Sequence, residues 1–138
     1  MKKNAVAIEV ADKVPELADT IIEYNSCLLR GNMVRKKELL KHISDALEPK
    51  KSELMSLGKR QTKDFFNLVN NMNVRHNNCD PEDVAKYNEK FAKLSEYEKE
   101  KWYDLIYEQG LALYVLLEQQ ERNKRIDEFK ADGYQSVH

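Results

Sequence analysis

The sequence predicts an all-α, single-domain bundle of about five helices with a long C-terminal helix, and three observations predict it. Glycine and proline are scarce, 4 and 3 in 138 residues, too few for the tight turns that hairpin strands need. Apolar residues recur at spacings of three and four in one stretch after another, the period of a helix with one face inward. Charged residues make up 34% of the chain beside 41% apolar, a balance that suits amphipathic helices in water. The length is that of one domain, residues 1–138, with enough chain to build a core without disulfide or metal staples.

Residues 1–13 carry no decisive pattern; a short strand, a helical lead-in and an arm all fit. Pro15 suits the first turn of a helix, where its missing N–H is not needed. Leu17, Ile21, Tyr24 and Leu28 then mark one helical face, and Gly31 supplies the stop. Asn32 is placed to cap the next helix, whose inward set is Leu39, Leu40, Ile43, Ala46 and Leu47. Pro49 should end or kink it near Leu47 by excluding the helical conformation at Glu48 and removing a donor. A turn or two with Leu54 and Leu57 leads to Gly58. Thr62, Phe65, Phe66, Val69 and Met72 define a third major helix whose wide apolar face predicts a central place.

Asp80-Pro81-Glu82-Asp83 reads as a helix start: a capping acceptor, proline at the first position, and acids at the positive end of the dipole. Val84, Tyr87, Phe91 and Leu94 would be its inward face. Ser95-Glu96-Tyr97-Glu98 is a capping box opening the longest helix. That helix carries Trp102, Leu105, Ile106, Leu113, Leu116 and Leu117 toward Phe129, with Gly110 and Ala112 small enough to admit a close neighbour. Residues 131–138 are polar and are expected to fray.

Charge and composition narrow the function classes. A net charge of −1 gives no general pull toward nucleic acid or anionic lipid. Lys and Arg outnumber Asp and Glu between Arg35 and Lys63, so a local basic surface, or simply a solvated helix face, can form there. A nucleic-acid-binding regulator acting through that stretch would bind less as salt rises. The longest uncharged apolar run, Gly110 to Leu117, is far short of the roughly 20 residues of a membrane span. Glu9 and Asp12 interrupt what would be a secretory signal. Cys27 and Cys79 form no Cys-x-x-Cys pair, which predicts a reduced, cytoplasmic setting. His42, His76 and His138 are too scattered for a metal centre, and no hydrolase or phosphate-loop motif is present. No cofactor, metal or membrane is expected.

The one concentration of versatile polar side chains is Asn70-Asn71-Met72-Asn73-Val74-Arg75-His76-Asn77-Asn78-Cys79-Asp80, between two helical patterns. Histidine is the side-chain type suited to proton transfer near neutral pH, and Arg75 beside His76 can grip a phosphate with two N–H groups. The pair could serve acid/base chemistry on a phosphodiester, or the stretch could simply terminate and brace helices, as Asn and His often do. Arg35 and His42 form a second candidate pair, nearly two turns apart on one helix face; His42 could equally be a half-buried core histidine. Tyr97, Trp102, Tyr103, Tyr107 and Tyr114 could stack on bases, or fill the core and its edge. Cys79 has only Arg75 and His76 nearby to activate it.

Four strings together, Arg35-Lys36-Lys37-Glu38-Leu39-Leu40, Leu47-Glu48-Pro49-Lys50-Lys51, Asn70 through Asn78, and Lys101-Trp102-Tyr103-Asp104, resemble small helical domains of bacterial defence systems, the HEPN superfamily. The resemblance covers roughly residues 15–120. It implies a dimeric domain of four to five helices in an abortive-infection or toxin–antitoxin module, acting as a metal-independent RNA endonuclease. It also implies partners: RNA, a second copy, and a protein such as an antitoxin. The superfamily's signature is an Arg followed by His after four to six residues. Here Arg75 and His76 are adjacent, while Arg35 and His42 have the expected separation at an unexpected place. In the implied reaction a ribose 2′-OH attacks the adjacent phosphate, His76 handles the proton and Arg75 stabilises the phosphoryl oxygens. Asn71, Asn77 and Asn78 would position the backbone or the imidazole. The alternative function is a non-catalytic helical interaction or scaffold module that binds a protein partner or itself.

Overall fold

The structure, a computed structural model, describes residues 5–133. Among them there is no strand. Helices α1 (Ala5–Lys13), α2 (Ala18–Tyr24), α3 (Met33–Leu47), α4 (Lys51–Leu57), α5 (Lys59–Asn71), α6 (Glu89–Ala92) and α7 (Glu96–Ala131) follow in order. The first of these settles residues 5–13 as a helix that buries Ala7 and Val10. The expected fray of the tail falls partly on residues 134–138, outside the described residues, as does His138.

Local signals set most boundaries. The Asn32 side chain accepts from the Arg35 N–H at 3.1 Å and starts α3, and Ser95 accepts from the Glu98 N–H at 3.1 Å to start α7. Each cap satisfies a donor that the first turn leaves without an intrahelical partner. α3 stops at Leu47, but Glu48 keeps a helical conformation (φ −53°, ψ −45°). The chain passes through a 3-10 turn at Glu48–Lys50 directly into α4. Pro49 therefore acts here through its missing N–H and not by expelling Glu48 from helical geometry.

Two expected helices are shorter than the pattern suggests. α2 ends at Tyr24, and Ser26, accepting from the Leu28 N–H at 3.2 Å, opens a 3-10 turn at Cys27–Leu29. That turn buries Leu29 and leaves Leu28 90% exposed, so Leu28 does not belong to the inward face. The helix expected from Asp80 does not form. Asp80 closes a turn on itself, its carboxylate accepting from the Glu82 N–H at 2.9 Å. Successive turns then carry the chain to the short α6, and Val84 is exposed.

The core is arranged around α7, not α5. α7 packs against α1, α3, α4 and α5 and buries Tyr103, Ile106, Tyr107, Gly110, Leu111, Leu113 and Tyr114, a face too wide for a single stripe. At Gly110 an added Cβ would lie 3.1 Å from Phe65 Cε1 and 3.2 Å from Ile43 Cγ2, so its lack of a side chain lets α3 and α5 both close on α7. Trp102, Leu105 and Ala112 point outward instead, while Leu116 and Leu117 are half-buried against the core. At 36 residues and about 1.5 Å per residue, α7 is roughly 54 Å long. From Glu121 onward every described residue is exposed.

Candidate functional site

The Asn70–Asp80 junction is a loop held by amide side chains. α5 ends as Asn73 takes a left-handed conformation (φ 62°), which Asn tolerates better than most residues because its short polar group bonds locally. Its side chain accepts from the Cys79 N–H at 3.3 Å, and its carbonyl accepts from the Tyr103 hydroxyl at 3.2 Å. Asn78 is completely buried. Its amide oxygen accepts from the Asn73 N–H at 2.8 Å and its NH₂ donates to the Lys86 carbonyl at 2.5 Å. The Asn78 carbonyl takes the Asn88 N–H, and the Asn88 side chain donates to the Asn71 carbonyl, both at 2.8 Å. These bonds fold the segment after Cys79 back onto the end of α5. A continuous helix from Pro81 would turn Lys86 and Asn88 into a helical ladder and forfeit this clamp. Phe91 is then delivered to the core, its ring 6.2 Å from that of Tyr103.

Both members of the expected catalytic pair are half-buried. Arg75 is partly buried and reaches back to the end of α3, 3.1 Å from Glu48 and 3.9 Å from Asp45. A guanidinium so placed already has two carboxylates to neutralise it, which a phosphate would have to displace. His76, next in the chain, is half-buried. Of the supporting residues, Asn78 is inside the loop, Asn77 is exposed, and Asn71 donates to the Asn67 carbonyl at 2.7 Å. In the second pair, Arg35 forks onto Glu23 through two nitrogens and reaches Glu38 at 2.8 Å. His42 is exposed. His42 lies three residues before Asp45 on α3, on the side of the helix surface neighbouring the carboxylate that Arg75 reaches.

Sequence reasoning passed over a different polar centre. Lys36 is 6% exposed, its ammonium 3.0 Å from Glu100 and 2.8 Å from Asp104 on α7. The Tyr24 hydroxyl donates to Asp104 at 2.8 Å, Asn25 donates to the Tyr107 hydroxyl at 2.8 Å, and the two tyrosine rings stack 4.1 Å apart. Burial, then the Asp104 charge, pushes the Tyr24 hydroxyl far above its ordinary pKa. Burial pushes the Glu100 carboxyl up, but the Gly31 N–H at 2.6 Å, followed by Lys36 and Arg30, more than offsets it and holds the group below 4.5. A cleft of about 760 Å³ opens beside these groups. Lys36 of α3 ties to Glu100 and Asp104 of α7, and Tyr24 of α2 to Asp104, so the arrangement cross-braces α2, α3 and α7. The available signal was Lys36 itself, a lysine three and four residues before Leu39 and Leu40 on the inward stripe of α3.

The aromatic residues divide the same way. Tyr103, Tyr107 and Tyr114 are buried, while Tyr97 is 67% and Trp102 37% exposed. Cys79 is half-buried and Cys27 exposed. Among the described residues no group of three His, Cys, Asp or Glu side chains could hold a metal ion, and no helix is long and apolar enough to cross a membrane. Comparison of the chain with protein-family models, with characterised proteins and with solved structures gives no match.

Proposed function

We propose that this chain is a non-catalytic helical interaction module that pairs with a second copy of itself through the end of α7. The observation that carries the reading is the exposure of the whole segment from Glu121 to Gly133. A helix of that length in water is marginal on its own, and Ile126, 47% exposed, gives it an apolar centre. Arg122, Lys124, Arg125 and Lys130 balance Glu121, Asp127, Glu128 and Asp132, so two such segments can lie side by side without net repulsion. The buried Lys36 and Tyr24 engage Glu100 and Asp104 and brace helices, as a scaffold requires. Sedimentation equilibrium across micromolar concentrations tests the reading. The wild-type chain should reach twice the monomer mass, and Ile126→Asp should remain a monomer with unchanged thermal stability. A wild-type chain that stays monomeric, or a variant that pairs as well, refutes it.

A second reading, RNA cleavage at Arg75 and His76, draws on one placement: Arg75 reaches Asp45, three residues beyond His42 on α3. On this reading Arg75 exchanges Asp45 and Glu48 for a phosphate, and His76 or His42 moves the proton. Incubation with total RNA in EDTA tests it, with cleavage lost in Arg75→Ala and in at least one of the two histidine→Ala variants.

A further inference from the structure

Beyond the bundle, α7 presents one face of mixed character. Arg122, Arg125, Ile126, Phe129 and Lys130 line a single hollow along it, at the spacings of three and four that put residues on one side of a helix. Ile126 and Phe129, 47% and 63% exposed, form its apolar seam. The neighbouring ion pairs, Arg122 with Glu118 at 2.8 Å and Lys124 with Glu121 at 3.5 Å, leave Arg125, Lys130 and Asp132 unmatched among the described residues. Asp132 keeps helical register, because its N–H still bonds the Glu128 carbonyl. Seven residues are nearly two turns, so Arg125 and Asp132 share one edge of the seam, while Asn123 and Lys130 share the other.

We infer that two copies pair antiparallel along this seam and form a two-headed rod, an inference that rests on the self-association proposed above. With the two helices running the same way, Arg125 would face the partner's Lys130 and Arg122 would face the partner's Arg122, like charges that oppose pairing. With the helices running in opposite directions, Arg125 meets the partner's Asp132 on one edge, and two-fold symmetry makes that contact twice. Lys130 then meets the partner's uncharged Asn123, and Ile126 packs against the partner's Phe129. The seam therefore accepts one direction of a second copy and rejects the other. At about 1.5 Å per residue, the two Gly110 positions, each buried in its own bundle, lie roughly 50 Å apart along the rod. Such a pair suits a spacer that holds two identical bundles at a fixed separation.

Sedimentation equilibrium of charge variants and a spin-label distance test it. Arg125→Glu should weaken pairing about tenfold, since two attractions between exposed charges become two repulsions, and Arg125→Glu/Asp132→Arg should restore it. Nitroxide labels on Ala112→Cys, an exposed position, in a Cys27→Ser/Cys79→Ser background, should lie roughly 45 Å apart in the pair, against less than about 20 Å for parallel helices. A wild-type chain that stays monomeric removes the self-association reading and this inference with it. A wild-type dimer leaves self-association standing, and the antiparallel arrangement alone is overturned by any of three results. These are Arg125→Glu pairing as tightly as wild type or more tightly, no recovery in the double variant, and labels within about 20 Å of each other.

Discussion

Asn78→Ala should be among the most damaging single substitutions in the chain, although the residue lies in a loop. The side chain is fully buried and closes both ends of the clamp, accepting from Asn73 N–H and donating to Lys86 C=O. Alanine strands one donor and one acceptor. Each buried group left unsatisfied costs about 1–3 kcal/mol, so the expected loss is roughly 2–6 kcal/mol, a large share of a domain stability of about 5–15 kcal/mol. Urea denaturation followed by circular dichroism measures it as a lower midpoint at similar slope. Asn78→Asp separates the two ends. It keeps the acceptor for Asn73 but sets a buried carboxylate against the Lys86 carbonyl. Burial would raise the folded pKa of that carboxyl above its unfolded value, so the deficit should be greatest at neutral pH and shrink as pH falls through the folded pKa. Losses below about 0.5 kcal/mol for both variants, within the range of ordinary surface changes, would refute the account of the loop as a side-chain clamp.

That clamp also explains what the sequence concealed. Asp80-Pro81-Glu82-Asp83 has the local chemistry of a helix start, yet no helix follows. The deciding bonds run from Asn78 to Lys86 and from Asn88 to Asn71, pairs separated by 8 and 17 residues. No period of three or four reports them. Leu28 failed for a nearer reason, since Ser26 opens a new turn and brings Leu29 inward in its place. Where the controlling bond is short in sequence, as at Asn32 and Ser95, the boundary was legible.

The candidate site was legible only as a concentration of residue types. Periodicity marks which residues face the core, but it is blind to how polar groups pair across helices. Arg75 and His76 stood out as neighbours in sequence, whereas the structure turns Arg75 toward Asp45 and Glu48. Lys36 was hidden among the basic residues of Arg35–Lys63, because its burial depends on Glu100 and Asp104 arriving from a helix more than sixty residues later. A buried cation is tolerable only when such partners meet it, and nothing local announces them.

The same geometry yields three further tests. Gly110→Ala should cost about 1 kcal/mol net: crowding of Phe65 and Ile43 at 3.1 and 3.2 Å costs roughly 1–3 kcal/mol, partly offset by about 1 kcal/mol of helix propensity. A rise in melting temperature would show that α3 and α5 yield easily. Glu100→Gln should flatten the acid limb of the stability curve. The Glu100 carboxyl is held below 4.5 in the folded chain, so its contribution is fully present above that value and is lost as pH falls through the folded pKa; parallel acid profiles for wild type and variant would contradict the pairing with Gly31 and Lys36. The last test separates the two functional readings. Asp45 and Glu48 compete with any anion for Arg75, so Asp45→Asn/Glu48→Gln frees the guanidinium. If Arg75 serves RNA, that double variant should bind a short single-stranded RNA more tightly than wild type, and Arg75→Ala should abolish the gain. If Arg75 is a structural tie between the loop and α3, the same double variant should instead lower thermal stability with no change in RNA affinity. Because the two outcomes move different observables, a gain in affinity without loss of stability would overturn the scaffold reading of Arg75.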